Sequence, residues 1–155
     1  MNAITLLTLW KKLAGLPGGK SLFSFLVGWV VPYSGTVRPE ILEIKPGYSK
    51  ILMKDRKSIR NHLNSIHAVA LMNFGELTSG LAFNAGLPEN ARGIVTHLSI
   101  DFFKKARGVL IAECQCKPPS TNAEQEMDVY VPISNAAGEE VARVAARWKI
   151  GPKKD

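Results

Sequence analysis

The spacing of apolar and polar side chains divides the chain into helical segments and strands. Apolar runs followed by stop signals predict two short helices at 4–13 and 21–31. A β-hairpin should come next, because strand-like segments at 40–45 and 48–54 flank the turn dipeptide Pro46-Gly47. Alternation of apolar and polar positions then predicts four more strands, at 94–103, 109–116, 127–133 and 140–150.

The segment 65–82 is apolar on nearly all sides, which is typical of a buried helix. Gly75 and Gly80 lie within it, and each costs about 1 kcal/mol of helix stability relative to alanine. Their presence predicts that another backbone packs closely against this helix. Glu76 is the one formally charged residue of the segment.

The predicted order is two helices, two strands, one long buried helix and four strands. A curled antiparallel sheet wrapped around the central helix satisfies this order, so the fold class is α+β. We expect an N-terminal helical extension at 1–34, one domain at 35–151 and a basic tail at 152–155. Pro132 cannot donate a backbone hydrogen bond, so it should lie at a sheet edge or a bulge.

Glu76 is the first candidate for chemistry, because a buried carboxylate loses its solvation. Asn73 and Ser79 lie three residues before and after it, on the same helical face. Two interpretations remain open. The carboxylate either emerges at a surface edge or is held by a structural hydrogen bond, or it lies in an apolar cleft with a raised pKa as a general base.

The polar entry to the same helix is the second candidate. Asn64 or Ser65 can serve as the N-cap, and the first-turn amides near His67 and Ala68 can polarise a carbonyl or bind an anion. His67 itself is either a capping histidine or a catalytic one. Nine helical residues place His67 and Glu76 on opposite faces, about 13 Å apart along the axis. Both can therefore act on one substrate only if two chains share the site.

Composition limits the class of protein. With 46% apolar and 21% charged residues, the chain is globular and not disordered. Its most apolar stretch, 22–31, is about half the ~20 residues that a membrane-spanning helix needs. Cys114 and Cys116 are too close for ordinary disulfide geometry, and we find no metal-ligand cluster. We therefore expect a cytoplasmic protein without a membrane span or a metal.

The net charge of +7 favours anionic partners, but the basic residues are scattered. Residues 1–57 hold nine basic and three acidic side chains, and 104–155 hold nine and seven. Such charge is either a solvated surface or a site for a phosphorylated small ligand. No stripe of basic residues with interleaved aromatics indicates nucleic acid.

Asn61, His67 six residues later and Glu76 nine residues after that resemble the signature of hotdog-fold acyl-CoA thioesterases of the phenylacetate-pathway (PaaI-like) type. The resemblance covers about 35–151. It implies the hotdog fold, a dimer or a dimer of dimers, and hydrolysis of an acyl-CoA, with coenzyme A as part of the substrate and no cofactor. The chain departs from the family at Asn64 and Ala68, where glycine is usual.

The resemblance also implies roles for single residues. Glu76 would act as general base or nucleophile, Asn61 would orient substrate or water, and the amides of His67 and Ala68 would stabilise the oxyanion. Thr96 lies near the position of the hydroxyl that holds the attacking water. The remaining substrate-binding candidates are Asn73 and three bases that either contact the phosphates of coenzyme A or form a solvated turn, namely Lys104, Lys105 and Arg107.

A thioesterase is the leading hypothesis for function. The alternative is a hotdog protein that binds an acyl-CoA or a lipid without turnover, and the two departures from glycine keep it open. A nucleic-acid-binding protein is the third hypothesis, and it rests on the net charge of +7 alone.

Overall fold

The computed structural model describes residues 3–153, and the side chains of 5–153. The helices are α1 (Ala3–Leu13), α2 (Gly19–Val30), the single turn α3 (Pro32–Gly35) and α4 (Ala68–Ala85). The strands are β1 (Glu40–Lys45), β2 (Tyr48–Lys54), β3 (Ala91–Phe102), β4 (Val109–Gln115), β5 (Gln125–Asn135) and β6 (Glu140–Pro152). A short 3₁₀ turn, Lys57–Ile59, precedes the loop that leads to α4.

Six strands form one antiparallel sheet in the order β1-β2-β4-β5-β6-β3. The central helix α4 contacts all six strands, and its buried side chains include Phe74 and Phe83. Helices α1 and α2 pack beside β1 and add Leu6, Phe23 and Val27 to the same core. The predicted α+β architecture, a sheet around a central helix with helices before it, is confirmed.

The central helix begins three residues later than predicted. Its N-cap is His67, and neither Asn64 nor Ser65 takes that position. Ser65 instead donates from Oγ to the carbonyl of Ala106, 3.0 Å away. The local capping signal was therefore outweighed by a tertiary hydrogen bond that fixes the loop against the strand connection.

The two glycines of α4 face side chains of β6, and not a second backbone as predicted. A Cβ at Gly75 would lie 2.4 Å from Cγ2 of Val144, so the helix approaches the sheet too closely for any larger residue there. A Cβ at Gly80 would lie 3.4 Å from the nearest atom of the Trp148 ring, an ordinary contact distance.

Pro132 lies in β5, which is an interior strand and not an edge strand, one residue before a register shift between Ile133 and Ser134. Strands β4 and β5 pair only from Leu110↔Asn135 to Ala112↔Ile133. Pro132 follows the last of these pairs and is matched with Arg143 of β6 on its other side. Its missing amide hydrogen therefore costs the sheet no bond to β4.

At the C-terminus, β6 extends to Pro152 and Lys153 follows it. The rest of the predicted basic tail, 154–155, lies outside the described residues. None of the helices in 3–153 combines the length and apolarity needed to cross a bilayer.

Candidate active site

The loop before α4 is shaped by Asn61. Its side-chain oxygen accepts hydrogen bonds from the backbone amides of Leu63 at 2.9 Å and Ser65 at 3.2 Å. The backbone amide of Asn61 donates to the Ser65 carbonyl at 2.8 Å. Its side-chain nitrogen donates to no group within residues 3–153. The side-chain oxygen of Asn61 therefore stabilises the loop, and its side-chain nitrogen is available to donate a hydrogen bond to a substrate.

Asn64 occupies a left-handed turn position in this loop, with φ of 53°. Glycine tolerates that conformation best, and asparagine is among the few other residues that adopt it readily. Asn64 can therefore adopt the backbone conformation that glycine would adopt at this position of the loop.

His67 caps α4 through its side chain. Its Nδ1 accepts from the amide of Val69 at 3.1 Å, which requires the imidazole to be unprotonated at that nitrogen. Its backbone amide donates to the carbonyl of Ile59 at 2.8 Å. That amide is engaged within the chain, so it is less free than the Ala68 amide to stabilise an oxyanion, and its role stays a prediction.

Ala68 is the first residue of α4, and its amide donates to no acceptor in the described part of the chain. The residue is exposed. A free amide at a helix N-terminus is a good donor to an anion or a polarised carbonyl. The helix entry therefore offers the Ala68 amide as a free donor.

Glu76 is half-buried on α4, and its carboxylate makes no hydrogen bond or ion pair with any described residue. Burial raises the pKa of its carboxyl above the ordinary value. The carboxyls with shifted pKa elsewhere are lowered because an arginine, lysine or tyrosine donates to each: Asp55, Glu113, Asp128, Glu139 and Glu140. Among the described carboxyl groups with a shifted pKa, Glu76 is therefore the one without a donor.

The polar neighbours of Glu76 on the helix have structural roles. Asn73 donates from Nδ2 to the carbonyl of Tyr33, 3.1 Å away, and thereby ties α4 to α3. Ser79 donates to the Glu76 carbonyl at 2.8 Å and accepts from the Trp148 ring nitrogen at 3.3 Å. Neither side chain reaches the Glu76 carboxylate in this chain.

Two clefts flank the N-terminus of α4. The first has a volume of about 400 Å³, and its lining includes Asn61, Ala68, Lys104 and Lys105. Lys104 is paired with Glu139, whereas the Lys105 ammonium has no anionic partner in the described residues. The first cleft therefore joins the free helix amide to an unpaired cation.

The second cleft, of about 550 Å³, is lined by His67, Asn73 and Tyr33 among others. Glu76 lines neither of the two clefts. The structure thus brings Asn61, Ala68 and the two lysines together, and it places His67 and Glu76 apart from them.

Arg107 donates hydrogen bonds to the loop before α4 and does not line the first cleft. Its guanidinium donates to the carbonyls of Asn64 at 2.9 Å and Leu63 at 3.2 Å. These bonds hold the loop in place before α4 and leave Arg107 less free than Lys105 to contact a phosphate.

Thr96 lies at a bulge in the edge strand β3. Val95 pairs with Trp148 and His97 pairs with Arg147, so Thr96 has no partner of its own in the register. Its hydroxyl is exposed and lies 3.4 Å from the Arg147 carbonyl. A bulge redirects a side chain relative to its strand, and the alternation of residue types gave no sign of it.

No group of three or more His, Cys, Asp or Glu within the described residues could hold a metal ion. The arrangement offers instead a free amide, an unpaired ammonium and a carboxylate with a raised pKa. These are the parts needed to stabilise an oxyanion, bind a phosphate and activate water.

A family model described as a domain of unknown function, DUF4442, matches residues 19–150. None of the curated proteins matches the chain significantly.

Solved structures share the fold over most of the chain. The structural-genomics protein APC5556 has a TM-score of 0.82 at 23% identity, covering 97% of this chain and 99% of its own. PA5026 from Pseudomonas aeruginosa, described as a probable thioesterase, has a TM-score of 0.76 at 20% identity, covering 89% and 97%. A hypothetical thioesterase from Streptococcus pneumoniae TIGR4, solved with coenzyme A, has a TM-score of 0.67 at 18% identity, covering 83% and 99%. These similarities confirm the predicted hotdog fold.

Proposed function

The chain belongs to the DUF4442 family, a domain of unknown function, and we propose that it is a thioesterase that hydrolyses an acyl-CoA or a related acyl thioester. Glu76 carries the proposal, as a half-buried carboxylate that has a raised pKa and no partner in the described chain. Similarity to a probable thioesterase and to a structure solved with coenzyme A supports the same class of substrate. The resemblance to the phenylacetate-pathway type supplies the roles proposed for the residues.

In the proposed reaction, Glu76 removes a proton from a water molecule as that water attacks the thioester carbonyl. The oxyanion that forms accepts a hydrogen bond from the Ala68 amide, and such a donor contributes roughly 3 kcal/mol to the transition state. When the tetrahedral intermediate collapses, the carbon–sulfur bond breaks and the leaving thiolate takes the proton from Glu76. The alternative is direct attack by the carboxylate on the carbonyl, which breaks the carbon–sulfur bond, expels the thiolate and leaves a mixed anhydride on Glu76. Water then hydrolyses the anhydride, which releases the acid and regenerates the Glu76 carboxylate.

We place the two halves of the site on different chains of a dimer. His67 and Glu76 lie about 13 Å apart along the axis of α4 and on opposite faces, so one thioester cannot reach both ends within one chain. Strand β3 is a twelve-residue edge strand with mostly exposed side chains. Long exposed edges of this kind tend to pair with another strand, which gives the chain a surface for a second copy.

We propose coenzyme A as the thiol carrier, bound at the first cleft. Its phosphates would contact Lys105, whose ammonium has no anionic partner in the described chain. Lys104 would join it after exchanging Glu139 for a phosphate. Phosphate contacts at this point would bring the thioester toward Asn61 and the Ala68 amide.

The test is thiol release from a panel of acyl-CoAs, measured for the wild-type protein and for Glu76→Ala. We expect Glu76→Ala to lower kcat by about 10²-fold or more, the usual contribution of a general base. Glu89→Ala is the matched control, because it removes an exposed carboxylate just after the same helix and should retain full activity. Full activity in Glu76→Ala would end the proposal.

One observation favours a second function, binding of an acyl-CoA without turnover. The His67 amide is bonded to Ile59, so the helix entry offers the Ala68 amide without the other donor that the resemblance implied. Calorimetric titration with acyl-CoAs separates the two functions. Tight binding with no release of thiol that depends on Glu76 would support the binding protein.

A further inference from the structure

The outer face of α2 is apolar and uncovered. The inner face contributes Phe23 and Val27 to the core, whereas Phe25 and Trp29 on the outer face are 69% and 75% exposed. Leu22 is also exposed, so apolar side chains recur at the spacing of one helix face. A helix that is apolar all round is normally buried all round, so a surface of this kind calls for a partner.

Exposed apolar side chains continue from the end of α2 into α3: Val30 and Val31 are exposed, and so is Tyr33 of α3. We call these side chains, with Leu22, Phe25 and Trp29, the aromatic face. A cleft of about 920 Å³ lies beside it and is lined by Phe25, Trp29, Pro32 and Arg38 among others. The aromatic face is thus a set of exposed apolar side chains with a groove beside Phe25 and Trp29.

The charge around the aromatic face is net positive. Residues 1–39 include four basic side chains and no acidic one. The cleft is lined by Arg38, Lys54 and Glu40, of which Lys54 and Glu40 form an ion pair. Arg38 lines the cleft, and its guanidinium pairs with no carboxylate in the described chain. The neighbouring Arg56 has its pKa lowered by burial and by the positive charge of Arg38, which places two cations close together.

We propose that the aromatic face docks on the surface of an anionic phospholipid bilayer, with α2 lying in the plane of the interface. Tryptophan and tyrosine favour the headgroup level, where the ring is apolar and its polar edge stays hydrated. Arg38, which pairs with no carboxylate in the described chain, would be attracted by anionic headgroups. With twelve residues, α2 is long enough to lie in the interface and too short to span a bilayer.

The same charges favour a membrane over a second copy of the chain. A two-fold dimer brings the same patch of both subunits together, so Arg38 would approach its own symmetry mate. A bilayer that contains anionic lipid places opposite charge against that group instead.

Sedimentation with vesicles tests the docking surface. We expect the protein to bind vesicles of phosphatidylglycerol and phosphatidylcholine, to bind pure phosphatidylcholine weakly, and to lose affinity as salt is added. Phe25→Ser with Trp29→Ser should weaken binding about tenfold or more, because two large apolar side chains no longer enter the interface. Tyr130→Ser is the matched control, since it removes a 59% exposed aromatic residue on β5 and should bind like the wild type.

Fluorescence gives an independent readout, because Trp29 is the one exposed tryptophan of the three. Trp10 and Trp148 are 8% and 5% exposed. Anionic vesicles should shift the emission of Trp29 to shorter wavelength, and Trp29→Phe should keep the binding and lose the shift. No binding to anionic vesicles would overturn the proposal, and so would a double variant that binds normally. If sizing shows that the double variant splits an oligomer while vesicles are not bound, the aromatic face is an interface between copies.

Discussion

At the scale of single residues, the charge on Glu76 is unfavourable to the folded state. Burial raises the pKa of this carboxyl, so the folded chain holds the proton more tightly than the unfolded chain does. The free energy of unfolding therefore falls as pH rises through the interval between the unfolded and the folded pKa. Above both pKa values the penalty is fully present, and well below the ordinary pKa it is absent.

We therefore expect Glu76→Gln to raise the melting temperature at pH 7, because it keeps the shape of the side chain without its charge. The gain should vanish at about pH 4, where the wild-type carboxyl is protonated in the fold. Thermal melts at the two pH values measure this, with Glu89→Gln as a control that should show no gain. A less stable Glu76→Gln at neutral pH would mean that the carboxylate has a stabilising partner.

The same ionisation predicts the pH profile of thioester hydrolysis. A general base works only when ionised, so kcat/KM should fall by about tenfold per pH unit below the pKa of Glu76. Because burial raises this pKa, the midpoint of the fall should lie above the ordinary value of 4.5. Stopped-flow or endpoint thiol assays across pH would measure it, and a midpoint at or below 4.5 would contradict the assignment of Glu76 as the base.

A candidate functional residue could be predicted from the sequence where its chemistry depends on one side chain. Glu76 stood out because it was the one charged residue in an apolar helix. The engagement of the His67 amide was not readable, because its acceptor, the Ile59 carbonyl, is brought to it by the folded loop. The bulge at Thr96 could not be predicted from the sequence either, because a shift in strand register leaves no trace in the residue types.

At the scale of elements, the closeness of α4 to β6 separates its two glycines. A methyl group at Gly75 meets Val144 well inside contact distance, whereas one at Gly80 meets the Trp148 ring at an ordinary distance. We expect Gly75→Ala to cost about 1–3 kcal/mol through overpacking. Gly80→Ala should be neutral or add up to about 1 kcal/mol, because it improves helix propensity. Urea unfolding of both variants measures the difference in the free energy of unfolding. Equal values would mean that β6 shifts to accommodate the added methyl group.

Element boundaries followed the sequence wherever local rules decided them. The β1–β2 hairpin was predicted with its observed limits, because Pro46-Gly47 defines a turn without help from the rest of the chain. The start of α4 was predicted three residues early, because Ser65 is bonded to the distant Ala106. Helix α3 was not predicted, since its four residues are too few to show a helical period.

At the scale of the whole molecule, the shared site predicts complementation between inactive variants. Glu76→Ala lacks the base, and Ala68→Pro lacks the amide hydrogen that donates to the oxyanion. Proline fits this position, because Ala68 is the first residue of α4 and His67 before it has the extended backbone that precedes proline. Each variant should therefore fold and be inactive alone.

Mixed subunits should regain activity. In a reassembled mixture about half of the dimers combine the two variants, and one of their two sites receives both intact parts. Activity should then approach about a quarter of the wild-type level by site count. Ala68→Gly keeps the amide and should stay active, which controls for changes at the helix entry. Exchange of subunits without recovered activity would place the Ala68 amide and Glu76 of one chain in the same site.

The position of β3 at the edge of the sheet also has a consequence for the growing chain on the ribosome. β3 is attached to the sheet through β6 alone, and its register runs from Ala91↔Pro152 to Phe102↔Ala142. The apolar α4 is synthesised before β4, β5 and β6, the strands that cover much of it. Contacts between such distant segments form slowly, because a long loop must close first. The nascent protein therefore keeps a partly uncovered hydrophobic helix until β6 emerges, and it should depend on chaperones most in the final stage of translation.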